Sequence, residues 1–274
     1  MGGEAKLKIA FTKAHGAQND FLLSWAADVP SDRLPEAAVA ICHRHTGVGA
    51  DGWILVSRDP TLKDCDAAIR LFNPDGSEPE LSGNGTRCAA AFLLEHGLAG
   101  HCLRLLTGAG IKELRLVERQ ERRYRFEMNM GTPSLATPHH QLSTSAGLLD
   151  VAILNVGNPQ CAVFLPQLPA NWRQLGAEIE RHPDFPHRTN VSFVRVVDKH
   201  TLDVRFWERG AGATFSSGTG STAAAAAAIL RGLVESPVEV LTPAGPLLFR
   251  WDTGGDMFLT GPAEVVAQGE FYFT

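Results

Sequence analysis

Residues 82–98 read SGNGTRCAAAFLLEHGL, and residues 217–233 read SGTGSTAAAAAAILRGL. Laid in register from Ser82 and Ser217, the two run to their ends without a gap, and the serine, two glycines, three alanines and a closing Gly-Leu coincide. Each has the form of a serine cap, glycines that ease the backbone into a first turn, and a run of strong helix formers. Two alanine-rich helices can match by composition alone, so the test is whether the likeness extends into the flanking, non-helical sequence. It does. The same offset of 135 residues places LLTGAG (105–110) on VLTPAG (240–245) and FNPDGSE (72–78) on WERGAGA (207–213). Nearer the start the offset drifts to 139 and lays Asn19 of QNDFLL over Asn158 of GNPQCAV. The chain contains one unit twice. The seam falls in MNMGTPSLATP (128–138), where Gly and Pro follow a strand-like run. Copies covering 1–128 and 129–266 are expected, with a strand near 267–274 returning to the first.

Each copy reads as several alternating strands, such as KIAFTKAH, DGWILVSR, ELRLVERQ and RYRFEMNM in the first, with one long helix after the SGxG turn. The helix is nearly free of charge, AAAFLL in one copy and AAAAAAIL in the other, so it is expected to be enclosed by strands. The pattern is α/β or α+β with few helices, and a small-residue helix fits inside a closed sheet.

Composition narrows the function. A net charge of −5 and the absence of a basic stripe with interleaved aromatics give no reason to expect nucleic acid. No stretch approaches the roughly 18 apolar residues of a membrane span, and the start, MGGEAKLKIAFTK, lacks an apolar signal core. Five cysteines (Cys42, Cys65, Cys88, Cys102 and Cys161) form no CxxC pair and are expected as reduced, mostly buried thiols of a cytoplasmic protein. The basic cluster ERQERRYRF (118–126) alternates and reads as an exposed strand; HRH (43–45) and the pair His139, His140 have no partners at metal-ligand spacing and read as solvated. No GK[ST] follows either Gly-rich turn, so neither a phosphate site nor a cofactor is implied.

Taken singly, an SGxG turn is a helix cap. Taken as a pair, one per copy, the two helix starts offer unpaired backbone N–H groups and two positive dipole ends, which together suit one carboxylate held from both sides.

The motifs around these turns resemble those of the diaminopimelate epimerase family over essentially the whole chain. HGAQNDF (15–21), NPDGSEPELSGNGTRC (73–88), GNPQ (157–160) and ERGAGATFSSGTG (208–220) follow the family's order. The resemblance resolves the fold class as α+β and implies two similar domains, each a small β-barrel around a central helix, with the active site in the cleft between them. It implies a cofactor-independent and metal-free isomerase acting at the α-carbon of an amino acid, converting LL- to meso-diaminopimelate for lysine and cell-wall precursors, and a homodimer by analogy. By the same resemblance Asn19, Asn73, Asn158, Asn190 (in HRTNVSF), Glu208 and Arg209 bind substrate, and Gly83-Asn84 and Gly218-Thr219 hold the carboxylate of the reacting centre.

The chain departs from the family at the reacting groups. Where the family carries two thiols, one for each face of the α-carbon, this chain has Ser82 and Ser217. The family's histidine beside the first thiol is Gln160, the glutamate beside the second remains as Glu208, and the family's Gln after GAD is Gly52. An alcohol ionises about seven pKa units above a thiol, roughly 9 to 10 kcal/mol, and no single hydrogen bond closes that gap. Glu208 is a base for Ser217, whereas Gln160 accepts no proton for Ser82. Three readings stay open: an epimerase whose activity is weak, lost or run by other bases, a different isomerase or lyase that uses Glu208, and a non-catalytic amino-acid-binding protein.

Overall fold

The computed structural model describes residues 7–273 apart from 30, 31, 60, 63, 99 and 253. Its elements run in two series. The first holds β1 (Leu7–Gly16), β2 (Asn19–Trp25), α1 (Leu34–Cys42), β3 (Gly52–Ser57), β4 (Ala67–Phe72), α2 (Gly83–Glu95), β5 (Cys102–Thr107), β6 (Gly110–Gln120) and β7 (Arg123–Gly131). The second holds β8 (Leu135–Thr144), β9 (Gly147–Asn155), β10 (Pro159–Phe164), α3 (Trp172–Glu180), β11 (Asn190–Asp198), β12 (Thr201–Glu208), β13 (Gly212–Thr214), α4 (Gly218–Leu230), β14 (Val238–Thr242), β15 (Gly245–Trp251) and β16 (Met257–Phe273). The chain separates into two compact units, one running to Glu127 and resuming at Pro262, the other spanning Met128–Gly261. The C-terminal return therefore begins at Pro262, earlier than the expected 267, because Glu264 and Val265 already pair with His15 and Ala14 of β1.

In the first unit, β1 to β7 follow one another in the sheet, and β16, their last neighbour, also pairs with β1 and closes an eight-stranded barrel. In the second the order is β8-β9-β10-β11-β12-β14-β15-β16. The duplication is visible in the crossovers. The pairs β2–β3 and β4–β5 are parallel, as are β10–β11 and β12–β14, and each pair is bridged by a helix. The C-terminal strand β16 takes beside β1 the antiparallel place that β8 takes beside β9.

Both alanine-rich helices lie inside. Every residue of α2 from Gly83 to Leu94 is buried, against β1 to β5, and α4 is buried from Gly220 to Ala228, against strands from β8 to β15. A helix surrounded by strands on every side has no solvent face for charge, which is why the sequence between Glu80 and Glu95 holds one charged residue, Arg87.

Two features differ from the sequence reading. Each unit has a second helix, α1 and α3, on the outer side of its parallel crossover. Their buried residues (Leu34, Ala37, Ala38, Ile41, Cys42 and Trp172, Leu175, Gly176, Ile179, Glu180) keep the spacing of one helical face. The basic cluster 118–126 is a hairpin and not one strand: β6 ends at Gln120, Glu121 turns with φ 53°, and β7 begins at Arg123. The five cysteines are free thiols; Cys42, Cys88 and Cys161 are buried and Cys102 is exposed. Among the described residues no helix is long and apolar enough to cross a membrane.

Candidate active site

In the first unit the site begins at the turn between β1 and β2. Ala17 and Gln18 both take left-handed backbone angles (φ 50° and 60°) and Gly16 pairs with Asn19, the geometry of a two-residue hairpin turn. Gly16 sits at a close approach of backbone: a Cβ there would lie 3.1 Å from the Asn84 carbonyl oxygen and 3.2 Å from that of Pro262. The hairpin is thus pressed onto the start of α2, and Asn84 Nδ2 donates to Asn19 Oδ1 at 3.3 Å. Ser82 is the N-cap of α2, with its Oγ accepting the Gly85 N–H at 3.1 Å. The N–H groups of Gly83 and Asn84 stand at the positive end of the helix, where intrahelical bonding supplies no acceptor. Asn73 bonds within its own turn, its Nδ2 donating to Ser77 Oγ at 2.9 Å, and does not join the Asn19–Asn84 pair.

The second unit repeats the arrangement with different chemistry. Ser217 caps α4, its Oγ accepting the Gly220 N–H at 3.2 Å. Asn158 Nδ2 donates to Thr219 Oγ1 at 3.3 Å, the counterpart of the Asn84–Asn19 contact. Gln160 of β10, the parallel ladder partner of Asn190 in β11, is fully buried; its Nε2 donates to Asn158 Oδ1 at 2.7 Å and to Thr219 Oγ1 at 3.1 Å, while its Oε1 has no partner. Asn190 holds the backbone around the site, with Nδ2 donating to Pro159 O at 2.9 Å and Oδ1 accepting the Arg209 N–H at 2.9 Å. The Arg209 side chain is exposed and donates from Nη1 to His187 O at 3.1 Å.

Glu208 is the titratable group of this constellation. Its Oε2 accepts from Ser217 Oγ at 3.1 Å and its Oε1 from Thr214 Oγ1 at 2.7 Å. Burial pushes its carboxyl above the ordinary carboxylate range, and the two hydroxyl donors only partly offset this. A carboxylate raised in pKa and touching a hydroxyl is arranged to accept a proton. Ser82 has no such neighbour: among the described residues no titratable side chain hydrogen-bonds its Oγ. The cysteines do not substitute, since burial pushes Cys88 up to about 12 and also raises Cys161.

The structure therefore gathers Asn19, Ser82, Gly83 and Asn84 in one unit and Asn158, Gln160, Asn190, Glu208, Arg209, Ser217, Gly218 and Thr219 in the other. Sequence reasoning missed Thr214, which shares Glu208 with Ser217, and Asp51 and Arg87, which flank Asn19 and Asn84. The signal for Arg87 was present as a lone charge inside a helix otherwise built of small and apolar residues. The histidines singled out are engaged locally: His43 Nδ1 accepts the Thr46 N–H at 3.1 Å, and His139 and His140 pair with Asp150 and Asp184.

The sequence profile of the diaminopimelate epimerase family matches residues 11–136 and 152–266. The chain is 38% identical over 277 residues to the diaminopimelate epimerase of Pelotomaculum thermopropionicum, covering 95% of this chain and 98% of that protein. It is 40% identical over 280 residues to the diaminopimelate epimerase of Moorella thermoacetica, with the same coverage of 95% and 98%. Among solved structures it is similar to a phenazine biosynthesis protein of the PhzF family from Bacillus anthracis, with a TM-score of 0.74 at 16% identity over 96% of this chain and 98% of that one. It is also similar to a hydroxyproline epimerase from Agrobacterium vitis, with a TM-score of 0.71 at 18% identity over 98% and 93%. At these identities the structural likenesses concern the fold.

Proposed function

The chain belongs to the diaminopimelate epimerase family, and from that premise we propose that this isomerase binds diaminopimelate and acts at its α-carbon, in the cytoplasm and as a homodimer. The observation that carries the reading is the repeated helix start: in each unit a serine caps the helix and a distant asparagine, Asn19 at the start of β2 and Asn158 just before β10, bonds to the helix's second residue, Asn84 and Thr219 respectively. Such groups are donor-rich and suit a carboxylate. Arg209 supplies the charge for the far end of the substrate, and Asn73 and Asn190 shape the backbone around it.

A second reading is favoured by the contact between Glu208 and Ser217, which has no equivalent at Ser82. With one base, proton removal and return occur on one face, and the outcome is exchange with retention, or isomerisation of a substrate with a more acidic C–H bond, in place of inversion.

The two readings separate in deuterated water. LL- and meso-diaminopimelate are incubated with the protein, and the α-proton signal and the stereochemistry are followed together. Deuterium uptake with interconversion supports epimerisation. Uptake with retention supports the one-base reading. Binding by calorimetry without uptake of deuterium overturns both and leaves an amino-acid-binding protein.

A further inference from the structure

Arg87 is fully buried in the first turns of α2. Its Nε donates to Pro262 O at 3.1 Å, its Nη2 donates to Asn84 Oδ1, and its Nη1 has no partner. No carboxylate pairs with it among the described residues, and burial pushes its guanidinium down to about 10. A buried cation without a counter-ion is costly and is retained where it does something that a neutral residue does not.

The bonds that leave Arg87 run in one direction. The guanidinium donates to the Asn84 carbonyl oxygen. The Asn84 amide nitrogen donates to Asn19 Oδ1 at 3.3 Å, and the Asn19 amide nitrogen donates to Asp51 Oδ2 at 2.8 Å. Asp51 is held in turn by the Asp20 N–H at 3.3 Å and by Arg44, which also binds Asp20. A cation stands at one end of the chain, a carboxylate at the other, and two primary amides lie between them. An isolated asparagine amide can present either its oxygen or its nitrogen to a ligand at little difference in energy. Between a fixed donor and a fixed acceptor the choice disappears, and each bond polarises the next. In the second copy the corresponding chain is neutral: the position equivalent to Arg87 is Thr222, whose hydroxyl donates to Gly218 O at 2.9 Å, and the Asn158 amide is held between Gln160 Nε2 at 2.7 Å and Thr219 Oγ1 at 3.3 Å.

We propose that Arg87 and Asp51 are positioning residues that lock the amide orientation of Asn84 and Asn19, so that the second N–H of each amide faces the ligand and this half-site selects a carboxylate over a carboxamide. The selectivity part rests on the reading that the half-site holds the substrate's carboxylate; the locking itself does not. Breaking either end frees both amides, although each end residue touches only one of them.

The locking is read without ligand from the side-chain amide resonances and hydrogen-exchange rates of ¹⁵N-labelled protein. In Arg87→Met the Asn19 amide signals should shift and exchange faster, and in Asp51→Asn those of Asn84 should do so, with Asn158 unchanged in both. Should Arg87→Met fail to fold, Asp51→Asn, at a half-exposed position, reads the chain from its other end. A response confined to the amide that the substituted residue touches overturns the proposal. Selectivity is measured by calorimetry with diaminopimelate and its diamide. The carboxylate-to-carboxamide preference should fall about tenfold in each variant, the scale of one charge-assisted hydrogen bond. An unchanged preference overturns the selectivity claim. Binding of neither probe by the unsubstituted protein counts against the proposed function, and the amide resonances then decide the locking alone.

Discussion

Asn73 and Glu208 stand at equivalent positions in the two copies, 135 residues apart, and each reaches a serine hydroxyl: Asn73 Nδ2 donates to Ser77 Oγ at 2.9 Å, while Glu208 Oε2 accepts from Ser217 Oγ at 3.1 Å. The two side chains differ by an amide against a carboxylate, and only the carboxylate takes up a proton. At these equivalent positions the two copies share a backbone plan and differ in acid–base character, and only the second places a titratable group against a serine hydroxyl.

Glu208 makes a pH prediction with a definite sign. Its folded-state pKa is raised, so the folded chain binds more protons than the unfolded chain between the ordinary carboxylate range and the raised value, and stability falls as pH rises through that window. The variant Glu208→Gln removes the dependence. It should be more stable than the parent at neutral pH, with the difference shrinking as pH falls to about 3, below the ordinary glutamate range. Urea midpoints across pH measure this. Any α-proton exchange by the parent should rise with pH across the same window and be lost in Glu208→Gln.

The glycine three residues after each serine is predicted to differ in tolerance. A Cβ on Gly220 would lie 2.8 Å from the buried Phe206 ring and 3.1 Å from Ser217 Cβ, whereas one on Gly85 would meet the terminal methyl of Ile54 at 3.0 Å and Ser82 Cβ at 3.3 Å. A terminal methyl moves by rotation; a ring packed between strand and helix does not. Alanine also gains about 1 kcal/mol of helix propensity over glycine. Gly85→Ala should therefore be near neutral, and Gly220→Ala should lose about 1 to 3 kcal/mol through overpacking. Equal midpoints in denaturant for the two variants would refute the assignment.

Much of this was legible in the sequence because duplication turns one weak signal into two. A single SGxG before alanines is a helix cap, but its recurrence with flanking LLTGAG and VLTPAG fixed a repeat, and the nearly charge-free helices implied a central position in a sheet. What escaped was carried by contacts between distant segments. The helices α1 and α3 are nine residues each, too short for their periodicity to stand out from the strand-like runs around them. The part played by Asp51 depends on strand β2 bringing Asn19 beside it, 32 residues away in sequence, and no local pattern reports that. Thr214 was hidden for a different reason: its partner Glu208 lies only six residues away, across the tight β12–β13 hairpin.

The β1–β2 turn is a site of backbone strain. Ala17 and Gln18 both hold positive φ, a conformation that favours glycine or asparagine, and the exposed Gln18 shows no side-chain bond that would repay it. Gln18→Gly should stabilise the chain by about 0.5 to 1 kcal/mol, after allowing for the greater freedom of glycine in the unfolded state. Thermal unfolding should show a rise of roughly 2 °C, and a fall would mean that Gln18 makes a contact outside its own turn.

Restoring thiols tests whether the scaffold still presents an amino acid as the family does. Each serine hydroxyl accepts a backbone N–H at its helix start, from Gly85 at 3.1 Å and from Gly220 at 3.2 Å. Sulfur is a poorer acceptor, so Ser82→Cys and Ser217→Cys should each lose about 1 kcal/mol of stability as caps. The same backbone N–H groups and helix dipole lower a thiol's pKa, and Glu208 stands ready to take the proton of the thiol introduced at position 217. The double variant should create or greatly raise α-proton exchange on diaminopimelate. Either single variant should do little for inversion, which needs an acid and a base on opposite faces. Adding Gln160→His should raise the rate again, because imidazole accepts a proton and the amide it replaces does not. Deuterium incorporation and product stereochemistry are followed for the parent, both singles, the double and the triple variant. A parent as fast as the triple variant would show that the serine site, or a base not identified among these residues, already performs the reaction.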